Sequence, residues 1–170
     1  MAVRIVVFNL KRRPSGVSST VFALQPALGA LRPDVGYYGH GIPEGNNCLS
    51  SRALMNLCRI RTTDPLVFHV RRDHEIALGL SLKRLARRPI RLVFTWAAQR
   101  PKGRLASWLT RQCDAIVATT PQAAAYAPFS TALIPHGVPL QTARHAVAAP
   151  EPTPVRIACV GRIRPEKGTD

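Results

Sequence analysis

Acidic residues are scarce in this sequence: 9 Asp and Glu stand against 24 Lys and Arg, for a formal net charge of +15. That imbalance points to anionic partners, whether nucleic acid, lipid headgroups or phosphorylated sugars, or to an arginine-rich surface with no single partner. The lysines stand apart at Lys11, Lys83, Lys102 and Lys167, so no lysine run is present. Cysteine is sparse too. Cys48, Cys58, Cys113 and Cys159 form no C-x-x-C and have no histidine pair at ligand spacing, which argues against zinc or another bound metal. They read as reduced, mostly buried thiols of a cytoplasmic protein. No apolar run approaches the roughly 20 residues that cross a bilayer. The apolar opening, Met1 to Phe8, is too short for a signal peptide, and Lys11-Arg12-Arg13 lies on the wrong side of it. Attachment to a membrane is therefore expected to be peripheral. A Walker loop and a G-x-G-x-x-G are absent, and no helix-turn-helix, zinc-finger or aromatic-rich sheet pattern supports a specific nucleic-acid reader.

What is present is an alternation of apolar runs with helical patterns. With 46% hydrophobic residues the 170-residue chain buries a real core, in one domain and a little more. Arg4 to Leu10 reads as a strand buried on both faces. A loop from Lys11 to Thr20 follows, then a helix from Val21 to about Gly29, which Pro26 shortens and Ser18 or Ser19 caps. A strand, a loop with glycine and hydroxyls, and a helix N-terminus are the general geometry for holding phosphate. Val35 to Gly39 is a short strand, His40 between two glycines reads as inert, and Leu49 to Arg61 fits an amphipathic helix or half of one. Leu66 to Val70 is the next strand. Its carboxyl end carries Arg71, Arg72, Asp73 and His74, where open α/β sheets bind ligands. The alternative is structural: Asp73 caps the following helix and the arginines pair with Asp73 and Glu75. Ile90 to Thr95 is a strand that ends in Trp96-Ala97-Ala98-Gln99-Arg100. Leu105 opens a helix to about Cys113, with Trp108 in the core or an interface, or else on a membrane surface. Asp114 to Thr119 and Thr131 to Pro135 are further strands, separated by a helix with Thr120 as cap and Pro121 first. Residues 141–154 are rich in Ala and Pro and read as a linker. A new strand, Arg156 to Val160, then meets Gly161, with Arg162 and Lys167 beyond it, a pairing suited to a diphosphate or a solvated basic turn. The order of elements is that of an α/β doubly wound parallel sheet.

Several of these stretches resemble, in order, family-4 glycosyltransferases, enzymes of the GT-B fold with two facing Rossmann-like domains. G-R-I-R-P-E-K-G at 161–168 resembles the opening of their donor-sugar domain. D-A-I-V-A-T-x-x-x-A-A-A-Y followed by I-P-H-G-V at 134–138 is similar to a signature of the family, with Pro139 where Asp is usual. K-R-R-P-S-G-V-S-S-T, H-V-R-R-D-H-E and T-W-A-A-Q-R resemble, more narrowly, bacterial lipopolysaccharide-core mannosyltransferases. Trp96 replaces a small residue of that group, and Arg71 stands where many family-4 enzymes have the second histidine of H-x-H.

The resemblance implies an amino-terminal, acceptor-side domain over 1–140, a linker over 141–154 and the start of a truncated donor-binding domain over 155–170. It places Gly16, Arg162 and Lys167 on the donor diphosphate, Arg71, Arg72, Gln99 and Arg100 on the acceptor, and His136 and Gly137 along the cleft. Arg71 and His74 are the weak candidates for a catalytic role; no metal or cofactor is implied. The implied reaction moves mannose from GDP-mannose, a substrate rather than a cofactor, to a phosphorylated, membrane-anchored glycolipid core, with retention and without a metal. The implied location is the cytoplasm, peripheral on the inner face of the membrane, where the positive charge suits an anionic leaflet. The family's E-x(7)-E motif lies in a donor domain that this sequence does not reach, so 1–170 alone is expected to have no transferase activity. The rival reading is a non-catalytic basic protein that binds anionic lipid, polysaccharide or nucleic acid.

Overall fold

The computed structural model describes residues 2–13, 15–42, 47–129, 132–135 and 137. The expected linker at 141–154, the donor-domain start at 155–170 and His136 lie outside them. Six strands alternate with five helices: β1 (Ile5–Asn9), α1 (Gly16–Leu31), β2 (Val35–Gly39), α2 (Ser51–Arg59), β3 (Leu66–Val70), α3 (Asp73–Leu85), β4 (Ile90–Trp96), α4 (Arg104–Arg111), β5 (Ala115–Ala118), α5 (Pro121–Ala125) and β6 (Ala132–Leu133). All pair in parallel, in the order β2-β1-β3-β4-β5-β6. The α/β doubly wound expectation is borne out.

Side chains alternate across β1, and that alternation builds two cores. Val6 and Phe8 face α2 and α3, packing with Leu54, Cys58, Ile76 and Leu82 and with Phe68 and Leu92 of neighbouring strands. Val7 faces the opposite way, onto Val21 of α1, with Val35 and Tyr37 of β2. Phe8 and Phe68 are 0% exposed and meet edge to face at 5.0 Å. Burying each ring contributes about 1.5–3 kcal/mol, and such a pair adds about 0.5–1.5 kcal/mol.

The helix starts show where local chemistry was misread. α1 begins at Gly16, five residues ahead of the expected Val21, because Ser15 is the cap: its Oγ accepts from the Ser18 amide at 3.4 Å. Ser18 instead turns inward and is buried. Pro26 does not end the helix, which runs on to Leu31. At α3 the cap position falls on Arg72 rather than Asp73, which is the first helical residue. At α5 the expectation holds: Thr120 Oγ1 accepts from the Ala123 amide at 3.0 Å and Pro121 follows. Trp108 does not enter the core; it is 53% exposed, beside an exposed Leu105. α4 is only eight residues long and turns Thr110 inward instead.

The strand order reverses between β1 and β3: β2 lies on one side of β1, and β3 to β6 follow on the other. That switch point opens a crevice outside the carboxyl ends of the two strands. No helix among the described residues is long and apolar enough to cross a membrane.

Candidate functional site

β1 delivers Asn9 to the switch point, nearly fully buried. Its Nδ2 donates to the His40 carbonyl at 2.7 Å, and its Oδ1 accepts from Ser18 Oγ at 3.0 Å and from Arg72 Nη1 at 3.0 Å. Gly39 is required at this crossing. It sits at φ +135°, and a side chain there would run into the Asn9 carbonyl.

β3 delivers Arg71 and Arg72, and Glu75 sorts them. The Glu75 carboxylate is 0% exposed. It accepts from the amides of Leu10, Arg71 and Arg72 at 3.1, 2.8 and 3.1 Å and from Arg72 Nη1 at 3.0 Å. A buried carboxylate is tolerated only with such partners. It thereby ties the end of β1 to the end of β3. The Arg72 guanidinium is absorbed by the same network: its Nη2 donates to Ser15 Oγ at 2.9 Å and Ser18 Oγ at 3.2 Å, fixing the loop ahead of α1. Arg72 is thus part of the wall, while Arg71 lines the cavity in front of it. Burial pushes the Arg71 pKa down, against the opposing pull of Glu75. An arginine remains charged throughout.

That cavity measures about 510 Å³ and is lined by Ser15, Gly16 and Thr20 from the start of α1, by Arg71, by Phe94, Thr95, Ala97 and Ala98 at the end of β4, and by Lys102. Among the described residues, two cations and no carboxylate line it. At Gly16 an added Cβ would meet no protein atom within 4 Å, so packing does not demand glycine there. Gly16, the first residue of α1, lines the cavity at a helix N-terminus, where a helix favours an anion. Thr95 Oγ1 lies 2.7 Å from His69 Nε2. Burial, and then the charge of Arg71, pulls the His69 pKa down to about 4. The imidazole is therefore neutral at pH 7 and fixes the threonine hydroxyl without adding charge.

A second depression of about 430 Å³ adjoins the first through Ala98 and Lys102. Asp73, Arg100, Pro101, Gly103 and Ala106 complete it. Gly16 and Arg71 thus come together in one cavity, and Arg100 lies in the next. His74 and Gln99 are exposed and line neither. Gly137 lies beside Leu24 of α1, 3.6 Å away for an added Cβ. Arg162, Lys167 and His136 are outside the described residues. Thr95, Lys102 and Asn9 were not singled out from sequence, whereas the pairing of an arginine with Glu75 was the structural alternative and holds for Arg72. Among the described residues no three His, Cys, Asp or Glu side chains gather as a metal site would need.

No family model matches the chain. It is 37% identical to the lipopolysaccharide core biosynthesis mannosyltransferase LpcC of Rhizobium leguminosarum bv. viciae, across 99% of this chain and 50% of that protein. It is 32% identical to the lipopolysaccharide core biosynthesis mannosyltransferase LpsB of Rhizobium meliloti (strain 1021), again across 99% of this chain and 50% of that protein. The chain thus spans about half the length of the curated relatives it matches, and the resemblance to lipopolysaccharide-core mannosyltransferases read from its motifs is borne out.

Proposed function

We propose that the chain is the acceptor-side part of a mannosyltransferase that builds a lipopolysaccharide core. The observation that carries this reading is similarity to two such enzymes along 99% of the chain. The site is consistent with it. A cavity at the switch point, lined by Arg71, Lys102 and the first residue of α1 and, among the described residues, by no carboxylate, suits a substrate that carries negative charge. The finer reading follows the resemblance to family-4 enzymes: GDP-mannose as donor, retention at the anomeric carbon and no metal. Residues 1–140 form the acceptor-side domain, 141–154 a linker and 155–170 the opening of the donor domain. There Arg162 and Lys167 hold the donor diphosphate, with Gly16 close to it. Arg71 and Arg100 meet the acceptor, a phosphorylated glycolipid at an anionic membrane surface.

A chimera tests this. The first half of the Rhizobium leguminosarum relative is replaced by this chain and supplied with GDP-mannose and a lipopolysaccharide core that lacks mannose. The expected result is mannose transfer that survives a chelator, with no transfer by residues 1–170 alone. A folded chimera that binds GDP-mannose yet leaves the core unmodified overturns the reading. Transfer by the chain alone overturns its inactivity.

A further inference from the structure

Lys102 is held in a way that a surface lysine does not require. Its side chain is 16% exposed, and its ammonium lies 4.4 Å from the centre of the Phe94 ring and 5.1 Å from that of Trp96. Trp96 is itself 1% exposed, and its Nε1 donates to the Ala98 carbonyl at 2.8 Å, which ties the ring to the loop that follows β4. The remaining partner is Asp73, which is ion-paired to it and 44% exposed. Asp73 lies in the second depression and does not line the first; Lys102 lines both. The aromatic faces hold a cation without neutralising it. The carboxylate is half-exposed and stays in contact with water, so as an ion pair it contributes on the order of 1 kcal/mol. The lysine is therefore a seated charge with a weakly held counter-ion, at the junction of two depressions.

We infer that Lys102 is a binding residue for the acceptor: its ammonium takes a phosphate or carboxylate carried on a sugar, in exchange for Asp73. Arg71, across the first cavity, offers the second cation, and Arg100 lies in the adjoining depression. Asp73 keeps the ammonium placed while the site is empty and competes with the ligand when it arrives. The inference rests on the mannosyltransferase reading for the word acceptor; its chemistry, a sugar-borne anion, does not.

The experiment uses the whole 170-residue chain and titrates glucose 6-phosphate at low ionic strength, by calorimetry, with and without GDP. Lys102→Met keeps an apolar stem over the rings and removes the charge. It is expected to lose affinity by about tenfold or more, the worth of one charge-assisted hydrogen bond. Asp73→Asn removes the competitor and is expected to gain about threefold, the worth of an exposed ion pair. Excess GDP is expected to leave both results unchanged. Unaltered binding in Lys102→Met, or no binding of the sugar phosphate by the native chain, overturns the inference. So does a loss of affinity in Asp73→Asn, which would make Asp73 a tether. Full displacement by GDP would assign the cation to the donor and overturn it as well. Asp73→Asn retains the lysine and its aromatic seat, so it carries the test even where Lys102→Met fails to fold. No arm depends on transfer. A chimera that transfers nothing, beside a Lys102→Met chain that has lost its sugar phosphate, sinks the enzyme reading and leaves this one standing.

Discussion

His69 makes the switch point acid-sensitive. Its folded pKa is pulled down to about 4, by burial first and by Arg71 second. In the unfolded chain it titrates near 6.5. A group with a depressed histidine pKa binds its proton more readily when unfolded. Stability therefore falls as pH drops through 6.5 and stops falling from this source near pH 4. The full difference corresponds to about 3 kcal/mol, of which about 2 kcal/mol is already lost at pH 5. Many carboxylates also titrate near pH 5, so the native chain alone is an ambiguous readout. His69→Gln isolates the effect, because the amide nitrogen can still meet Thr95 Oγ1 and no proton is bound. Urea unfolding of both chains at pH 7.5, 6 and 5 is the assay. The native chain should lose about 2 kcal/mol more than His69→Gln between pH 7.5 and pH 5. Parallel losses in the two chains refute the reasoning, since they require an imidazole that protonates as easily folded as unfolded.

Glu75→Ala should cost about 3–5 kcal/mol by urea unfolding, because it leaves the Arg72 charge without its counter-ion and three amides without their acceptor. Gly39→Ala should cost at least about 1–3 kcal/mol in the same assay, from backbone strain at φ +135° and collision with the Asn9 carbonyl. Among the cysteines described, Cys48 is exposed, whereas Cys58 and Cys113 are buried. Burial, and then Asp114, pushes the Cys113 thiol up to about 12. Peptide mapping after brief alkylation at pH 8 should find Cys48 modified and Cys58 and Cys113 intact until the chain is unfolded.

The fold was legible because each strand is a short apolar run with its own punctuation. Leu66–Val70 stands between Asp64-Pro65 and two arginines, and its observed bounds coincide with that run. The helix starts were less legible. In the run from Ser15 to Thr20 four hydroxyl residues can each cap a helix, and local sequence favours none. The choice fell on Ser15 because Ser18 is drawn inward by Asn9, a residue nine positions away on another element. The sequence left Trp108 open between core and surface for a related reason: a spacing of three and four marks a face of α4 but not which face meets α3.

The site was legible as a region and not as an arrangement. Arg71 and Arg72 are the same residue type at the same strand end, and nothing between them in sequence says that one lines a cavity and the other is spent in a wall. The discriminating residue is Glu75. A carboxylate in the first turn of α3 with no exposure must collect donors, and the nearest are the amides and guanidinium that precede it. Arg72 is drawn into that network together with Ser15 and Ser18, and Arg71 is left beside the open space. Lys102 escaped notice because it belongs to the site through Phe94, Trp96 and Asp73, three residues on two other elements. A cation is placed by its neighbours in space, so an isolated lysine and a seated one look alike in the chain. The sequence does carry one trace of the seat: Phe94 and Trp96 stand two apart on β4, so their rings share a face of the sheet, and the buried Trp96 ring lies 5.1 Å from the ammonium. Two aromatics at alternate positions at the carboxyl end of a central strand are therefore a reason to look for the cation they support.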